Sequence, residues 1–199
     1  IEDRVCASTV APHFVGTLDA FFLRFVIAPF GHLAGLTKSG ARLIPSPLDQ
    51  QLSEPAIKLS DKLFVSIFQI AATGGSEAAP QFQYRLPNGL PARPVPQNLV
   101  AWVVKEKKKD WQAKGRVTHA DCSFLASCIL NGPHGAAVRA MLAKRFPVIC
   151  IDEFQDTGHF LGRAALALLK EPSIEAFVVG DVDQKIFGFS GVNPNLFAV

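Results

Sequence analysis

The apolar residues of this chain recur with two different periods, and the changes of period divide it into elements. In VGTLDAFFLRFVIAPFGHLAG, Phe14 and Val15 read as a strand end. Phe21, Phe22, Phe25 and Val26 then follow helical spacing, with a stop near Pro29 and Gly31. ARLIPSP reads as a short strand, and LSEPAIKLSDKLFVSIFQI sets Ile57, Leu63, Ile67 and Ile70 on or near one face, which predicts an amphipathic helix. From Ala71 to Gln97 the chain is rich in Gly, Pro and Ala and predicts a loop region, with at most a brief strand at Phe82 to Leu86 before Asn88-Gly89. QNLVAWVVKEKKKDWQAKG predicts a helix that ends at Gly115 and turns its KEKKKD run to solvent.

The later part is more regular. Thr118 caps a predicted helix with Asp121 three residues on, and its apolar periodicity ends at Gly132. GAAVRAMLAKRF follows as a helix broken by Pro147. Val148 to Ile151 is then a continuous apolar run, as in a fully buried parallel strand. TGHFLGRAALALLKEP is a helix and IEAFVVGD a second buried strand. Strand, helix, strand in that order predicts a right-handed crossover and an α/β parallel sheet.

Ligands bind beyond the carboxyl ends of such strands. Asp152 and Glu153 stand at one end; Gly180, Asp181 and Gln184 stand at the other. An apolar strand ending in Asp-Glu has the form of a Walker B element, whose Asp holds Mg²⁺ and whose Glu accepts a proton from the water attacking a terminal phosphate. Many buried strands also end in an acidic surface turn, so four apolar residues before Asp-Glu leave both readings open.

Composition narrows the class without naming a partner. With 199 residues and 49% hydrophobic content the chain can bury a sizeable core, and a net charge of +3 permits a polyanionic partner without requiring one. Cys6, Cys122, Cys128 and Cys150 form no C-x-x-C pair, so reduced thiols in a cytoplasmic protein are expected, with neither a zinc site nor a disulfide framework. The apolar stretches are short or interrupted by charge, and nothing calls for a membrane. The KEKKKD run reads as a solvated helix face in preference to a nucleic-acid patch.

The pair DEFQDT and, one helix and one strand later, GDVDQKIFGFSG resembles motifs II and III of the UvrD/Rep-like superfamily 1 DNA helicases. VGTLDAFFLRF is similar to that family's GT-x-H-S-F element, and KRFPVICIDEFQDT to its wording around motif II. The resemblance implies a partial RecA-like P-loop NTPase motor domain, a parallel-sheet α/β fold with a mostly helical insertion. Motor segments would span 1–47 and 115–199, and the 1B-like insertion 48–114. It implies ATP and Mg²⁺ as cofactors and single-stranded DNA, or duplex with a single-stranded tail, as partner. A protein partner such as a nuclease subunit fits too. Asp152 would help bind Mg²⁺, Glu153 activate the hydrolytic water, and Gln184 sense the terminal phosphate. Gln155, Asp156 and Asp181 would couple the nucleotide site to neighbouring motifs. Thr17 and Phe21 would line the strand path, and Phe187 and Phe189 would stack on bases, a contact contributing about 1–3 kcal/mol per base. Without the motif those two phenylalanines would read as a buried pair.

Several positions depart from the family pattern. Asp19 stands where His is usual, Ser190 where Arg is common, Val192 where Ala is usual, and Leu161 where Gln often follows motif II. These departures bear on strand affinity more than on hydrolysis, because an acid near a phosphate backbone is unfavourable and a lost Arg removes a contact. No G-x-x-x-x-G-K-[ST] occurs in the chain, Glu2 to Val5 resembles the tail of the family element that follows that loop, and the first residue is Ile1. A fragment from the middle of one motor domain is expected, inactive by itself. The reading is therefore a segment of an ATP-dependent 3′ to 5′ DNA helicase or translocase. The alternative is a degenerate helicase scaffold that binds DNA within a nuclease or defence complex. A P-loop ATPase acting on something other than DNA is disfavoured by the paired aromatics after Gln184.

Overall fold

The computed structural model describes residues 13–37, 39–44, 55–60, 63–86 and 91–181. Its centre is a helix, α3 (His119–Asn131), which follows an 18-residue helix, α2 (Gln97–Lys114). α3 is buried on most of its circumference, through Cys122, Leu125, Ala126, Ile129 and Leu130 among others, as befits a helix surrounded by other elements. Around it pack α1 (Leu18–Phe22), α4 (Gly135–Arg145) and α5 (His159–Leu169). The cap expected at Thr118 is present in both directions. Thr118 Oγ1 accepts from the Asp121 amide at 3.2 Å, and Asp121 Oδ2 accepts from the Thr118 amide at 3.0 Å.

The second oxygen of Asp121 is used as well. Oδ1 accepts from Lys107 Nζ at 2.7 Å, with the two side chains 4% and 2% exposed. Lys107 is the middle of the KEKKKD run, and Asp110 at its end is also buried, where it accepts hydrogen bonds from Arg116. The run is thus only partly a solvated face, a correction to the sequence reading. Two of its charges turn inward because their partners, Asp121 and Arg116, lie on the return path of the chain. α2 ends where expected, at Gly115 in the left-handed region (φ 63°); a Cβ there would lie 2.4 Å from the Gly40 carbonyl oxygen. β7 (Arg116–Val117) pairs in parallel with β1 (Arg42–Leu43), and the Arg116 guanidinium lies over the Phe68 ring at 4.7 Å.

Among the described residues of 48–114, the span expected to be mostly helical, strands are as frequent as helix. Residues expected to form one amphipathic helix instead make the hairpin β2 (Ala56–Ser60) and β3 (Leu63–Ser66), a 3₁₀ turn over Ile67–Gln69, and the start of β4 (Ile70–Gly75). Ile57 pairs with Val65, both buried, while the neighbouring pair is Lys58 with an exposed Phe64; this is the period-two alternation of a half-buried ribbon. Nor is the following segment a loop. β4 pairs antiparallel with β5 (Pro80–Tyr84), which pairs with β6 (Arg93–Pro94). The register opposes Ile70 to Tyr84 and Ala72 to Phe82, so the apolar bulk of β5 compensates for the small residues of β4. Ala72 packs against both the helical core and the sheet core, at the place where the two layers meet.

Other expectations are revised more locally. Phe14 and Val15 are irregular rather than a strand end. The first helical run does not stop at Pro29. α1 widens into a π turn at Leu23–Ile27, with the Ala28 amide donating to the Leu23 carbonyl, then continues through Ala28–Phe30 and a 3₁₀ turn to Gly35 (φ 88°). Pro29 sits in the first turn after the π segment, where a missing amide proton is tolerated. β8 (Val148–Ile151) and β9 (Glu175–Val178) are parallel as predicted, but not fully buried. Val148, Cys150 and Phe177 are exposed, because among the described residues these two strands form a two-stranded sheet with an uncovered face. Cys122 is buried and Cys128 half-buried. Burial, reinforced by nearby carboxylates, pushes both thiols up to about 12.

Asp121→Ala removes the cap and leaves Lys107 charged in an apolar site, so it is expected to cost about 3–5 kcal/mol. The double variant Lys107→Met/Asp121→Asn should recover part of that, because Asn keeps a cap acceptor. Urea unfolding followed by tryptophan emission, to which the buried Trp111 and the half-buried Trp102 both contribute, gives the order.

Candidate functional site

The two parallel strands end side by side, Ile151 opposite Val178, and their continuations are stitched together. The Val179 amide donates to the Ile151 carbonyl at 2.8 Å, and the Phe154 amide donates to the Val179 carbonyl at 3.1 Å. Between these bonds the chain reverses at Glu153, whose φ of 52° and ψ of 39° make it the sole non-glycine residue with positive φ among those described. A 3₁₀ turn over Phe154–Asp156 follows. Such a backbone state disfavours a long side chain and concentrates at functional sites.

Gln155 holds this turn from beneath. It is 1% exposed; its Nε2 donates to Glu153 Oε2, and its Oε1 accepts from the Asp181 amide at 3.0 Å. One buried amide therefore spans both strand ends. Gly180 leaves the space it needs, since a Cβ there would fall 2.6 Å from Gln155 Oε1. Asp152 is exposed and its Oδ1 accepts from the Glu153 amide at 2.9 Å. Asp156 Oδ1 is buried with no hydrogen-bond partner, which leaves an acceptor available inside the turn. The exposed Asp152 and Glu153 carboxylates are oxygen donors of the kind a hard divalent cation takes alongside water and phosphate, but among the described residues no three His, Cys, Asp or Glu side chains gather into a metal-holding group. Gln184, Phe187 and Phe189, with Ser190 and Val192, lie outside the described residues.

The two residues expected along a strand path separate. Thr17 is exposed and caps α1, its Oγ1 accepting from the Ala20 amide at 3.2 Å. Phe21 lies in the core, its ring 5.1–5.6 Å from those of Phe14, Phe22, Phe25 and Phe146. It sits on the inner face of the helix that Thr17 begins. Asp19 faces α3, where Ser123 Oγ donates to its Oδ1 at 3.3 Å.

Between α3, the Asp156–Leu161 segment and the β4–β5 sheet lies a cleft of about 480 Å³. Asp19, His119 and Ser123 line one wall, Thr73, Gln83 and Arg85 the other, and Asp156 and His159 the end nearest the carboxylate turn. Sequence reasoning reads only a brief strand at Phe82 to Leu86 in the second wall and misses β4, whose small residues predict a loop. The alternation of Phe82 and Tyr84 is the available signal.

Residues 61–198 match the family described as UvrD/REP helicase N-terminal domain. The chain belongs to this family. Membership implies a RecA-like α/β fold; the described part of this UvrD/REP chain shows its β8–α5–β9 unit, together with helices and small sheets. Among curated relatives, it is 34% identical over 101 residues to an ATP-dependent helicase/nuclease subunit of Ligilactobacillus salivarius, covering 48% of this chain and 8% of that protein. It is 34% identical over 116 residues to the protein of the same name from Bacillus licheniformis, covering 53% and 9%. It is also 34% identical over 92 residues to the exonuclease/helicase subunit RexA of Lactococcus lactis subsp. cremoris, covering 46% and 7%. The matched part thus spans less than a tenth of these relatives. Among the described residues no helix is long and apolar enough to cross a membrane.

If the carboxylate turn is held in a strained state for function, Glu153→Gly should stabilise the folded protein by about 1 kcal/mol while deleting the carboxylate. Urea midpoints of the two proteins measure this; an unchanged or lower midpoint would show that the turn carries no such strain.

Proposed function

We propose that this chain is a segment of an ATP-dependent DNA helicase or translocase, which couples ATP hydrolysis to 3′ to 5′ movement on single-stranded DNA. The observation that carries the reading is the carboxylate turn, with Asp152 and Glu153 beyond β8 and Gln155 bridging to Asp181 beyond β9. Asp152 holds Mg²⁺ with ATP, Glu153 takes a proton from the attacking water, and Gln155 orients the Glu153 carboxylate. When bound, Mg²⁺ supplies charge neutralisation at the phosphates. Asp156 and Asp181 join the turn to adjacent elements, and Gln184 senses the terminal phosphate.

DNA contacts are assigned to Thr17 at the exposed start of α1 and to Phe187 and Phe189 as stacking positions, with Phe21 as internal support. The names of the relatives, which pair helicase with nuclease or exonuclease, support a partner nuclease subunit that acts on DNA. Asp19 favours a second reading, a scaffold that binds DNA weakly without a working motor, since an acid at that position opposes a phosphate backbone.

In the full-length protein, Glu153→Gln is expected to abolish DNA-stimulated ATP hydrolysis while nucleotide binding is retained. Steady-state turnover with and without single-stranded DNA, beside equilibrium nucleotide binding, decides it. Retained turnover in the variant removes Glu153 from the reaction, and absent hydrolysis in the parent with DNA binding intact favours the scaffold.

A further inference from the structure

The tip of the β4–β5 hairpin carries a carboxylate that the motor reading does not use. Gly75 (φ 82°) begins the turn, and a Cβ there would lie 2.4 Å from the Ala79 carbonyl oxygen. Ser76 and Ala79 then exchange backbone hydrogen bonds at 3.3 and 3.2 Å, and the Ala79 amide also donates to Ser76 Oγ at 3.1 Å. This tight turn delivers Glu77 to α3 and α5.

There Glu77 meets a set of converging donors. Its Oε1 accepts from Ser127 Oγ at 2.6 Å, Arg163 Nε at 2.9 Å and Asn131 Nδ2 at 3.3 Å, and its Oε2 accepts from Arg163 Nη2 at 2.8 Å. The arginine is bidentate, and Ser127 is fully buried. A single exposed ion pair contributes little, but here a partly buried carboxylate is saturated by three side chains from two helices. Burial opposes ionisation of Glu77, yet the bonds from Arg163 and Ser127 outweigh it and hold the carboxyl below its ordinary range.

A second tie lies close by. The His159 ring, through Nε2, is 2.9 Å from the Gly75 carbonyl oxygen. His159 and Arg163 are one turn apart on α5, and α5 begins three residues after Asp156. Both ties therefore join the hairpin that walls the cleft to the helix that leaves the carboxylate turn.

We propose that Glu77 and Arg163 are positioning residues, through which the inserted sheet fixes α5 and with it the carboxylate turn, so that the cleft and the turn are set together. What this linkage transmits, from DNA to ATP hydrolysis, rests on the function proposed above; the linkage itself rests on the contacts alone.

The test is hydrogen exchange on the full-length protein. Glu77→Gln keeps shape and loses charge, and should speed amide exchange about tenfold or more both in residues 70–84 and in residues 154–162. Exchange in α4 should be unchanged, which shows that the fold is intact. Arg163→Lys, which keeps charge and loses the fork, should loosen both segments less. Loosening confined to 70–84, or no loosening at all, overturns the proposal. In parallel, Glu77→Gln should lower the DNA-stimulated turnover about tenfold with the nucleotide KM retained. A parent protein without DNA stimulation would count against the proposed function alone, because the exchange measurement decides the linkage without it.

Discussion

The helices and the strand that pack on α3 depend on the carboxylate of Asp121. One oxygen closes the N-terminal cap of α3 and the other neutralises Lys107 at the inner face of α2. Taking either charge out of water alone would cost several kcal/mol, so the two side chains are stable in the interior only as a pair. Their separation of 2.7 Å therefore fixes both the starting residue of α3 and the rotation of α2 about its axis. Because α1, α4, α5 and β4 all pack on α3, an error of one residue at that cap would move every wall of the cleft.

Around this fixed helix the molecule combines two kinds of surface. The helical side is built from large apolar side chains and yields little. The sheet side approaches it through small residues, Ala71 and Ala72, and is fastened at its far end by polar contacts at Glu77 and His159. A polar fastening specifies orientation better than an apolar one, since a bidentate arginine tolerates only a narrow range of angles. The cleft between the two surfaces thus has its shape defined at both ends, by packing at Ala72 and by directional bonds at the hairpin tip.

How much of this was legible in the sequence depended on whether the controlling partner was near in the chain. Thr118 and Asp121 are three residues apart, and the helix start they mark was readable. So were the two strands ending in Asp152 and Asp181, since their carboxylates interrupt apolar runs. Ile57, Leu63, Ile67 and Ile70 misled because their spacing suits a helix face, while Ile57, Leu63 and Ile70 lie in strands and Ile67 in a 3₁₀ turn, an arrangement set by the pairing of Ile57 with Val65 eight residues on. β4 lacked any apolar alternation of its own and takes its strand form from Phe82 and Tyr84 across the register. The inward turn of Lys107 could not be read at all, because its charge partner is 14 residues away on another helix. At the site, residue types were legible and the backbone state of Glu153 was not.

The face of β8 that the described residues leave uncovered also carries a chemical handle. Cys150 is exposed there two residues before Asp152, whereas Cys122 and Cys128 hold their protons far above neutral pH. Among the described thiols, a maleimide dye would therefore choose Cys150, which places a spectroscopic reporter beside the carboxylate turn.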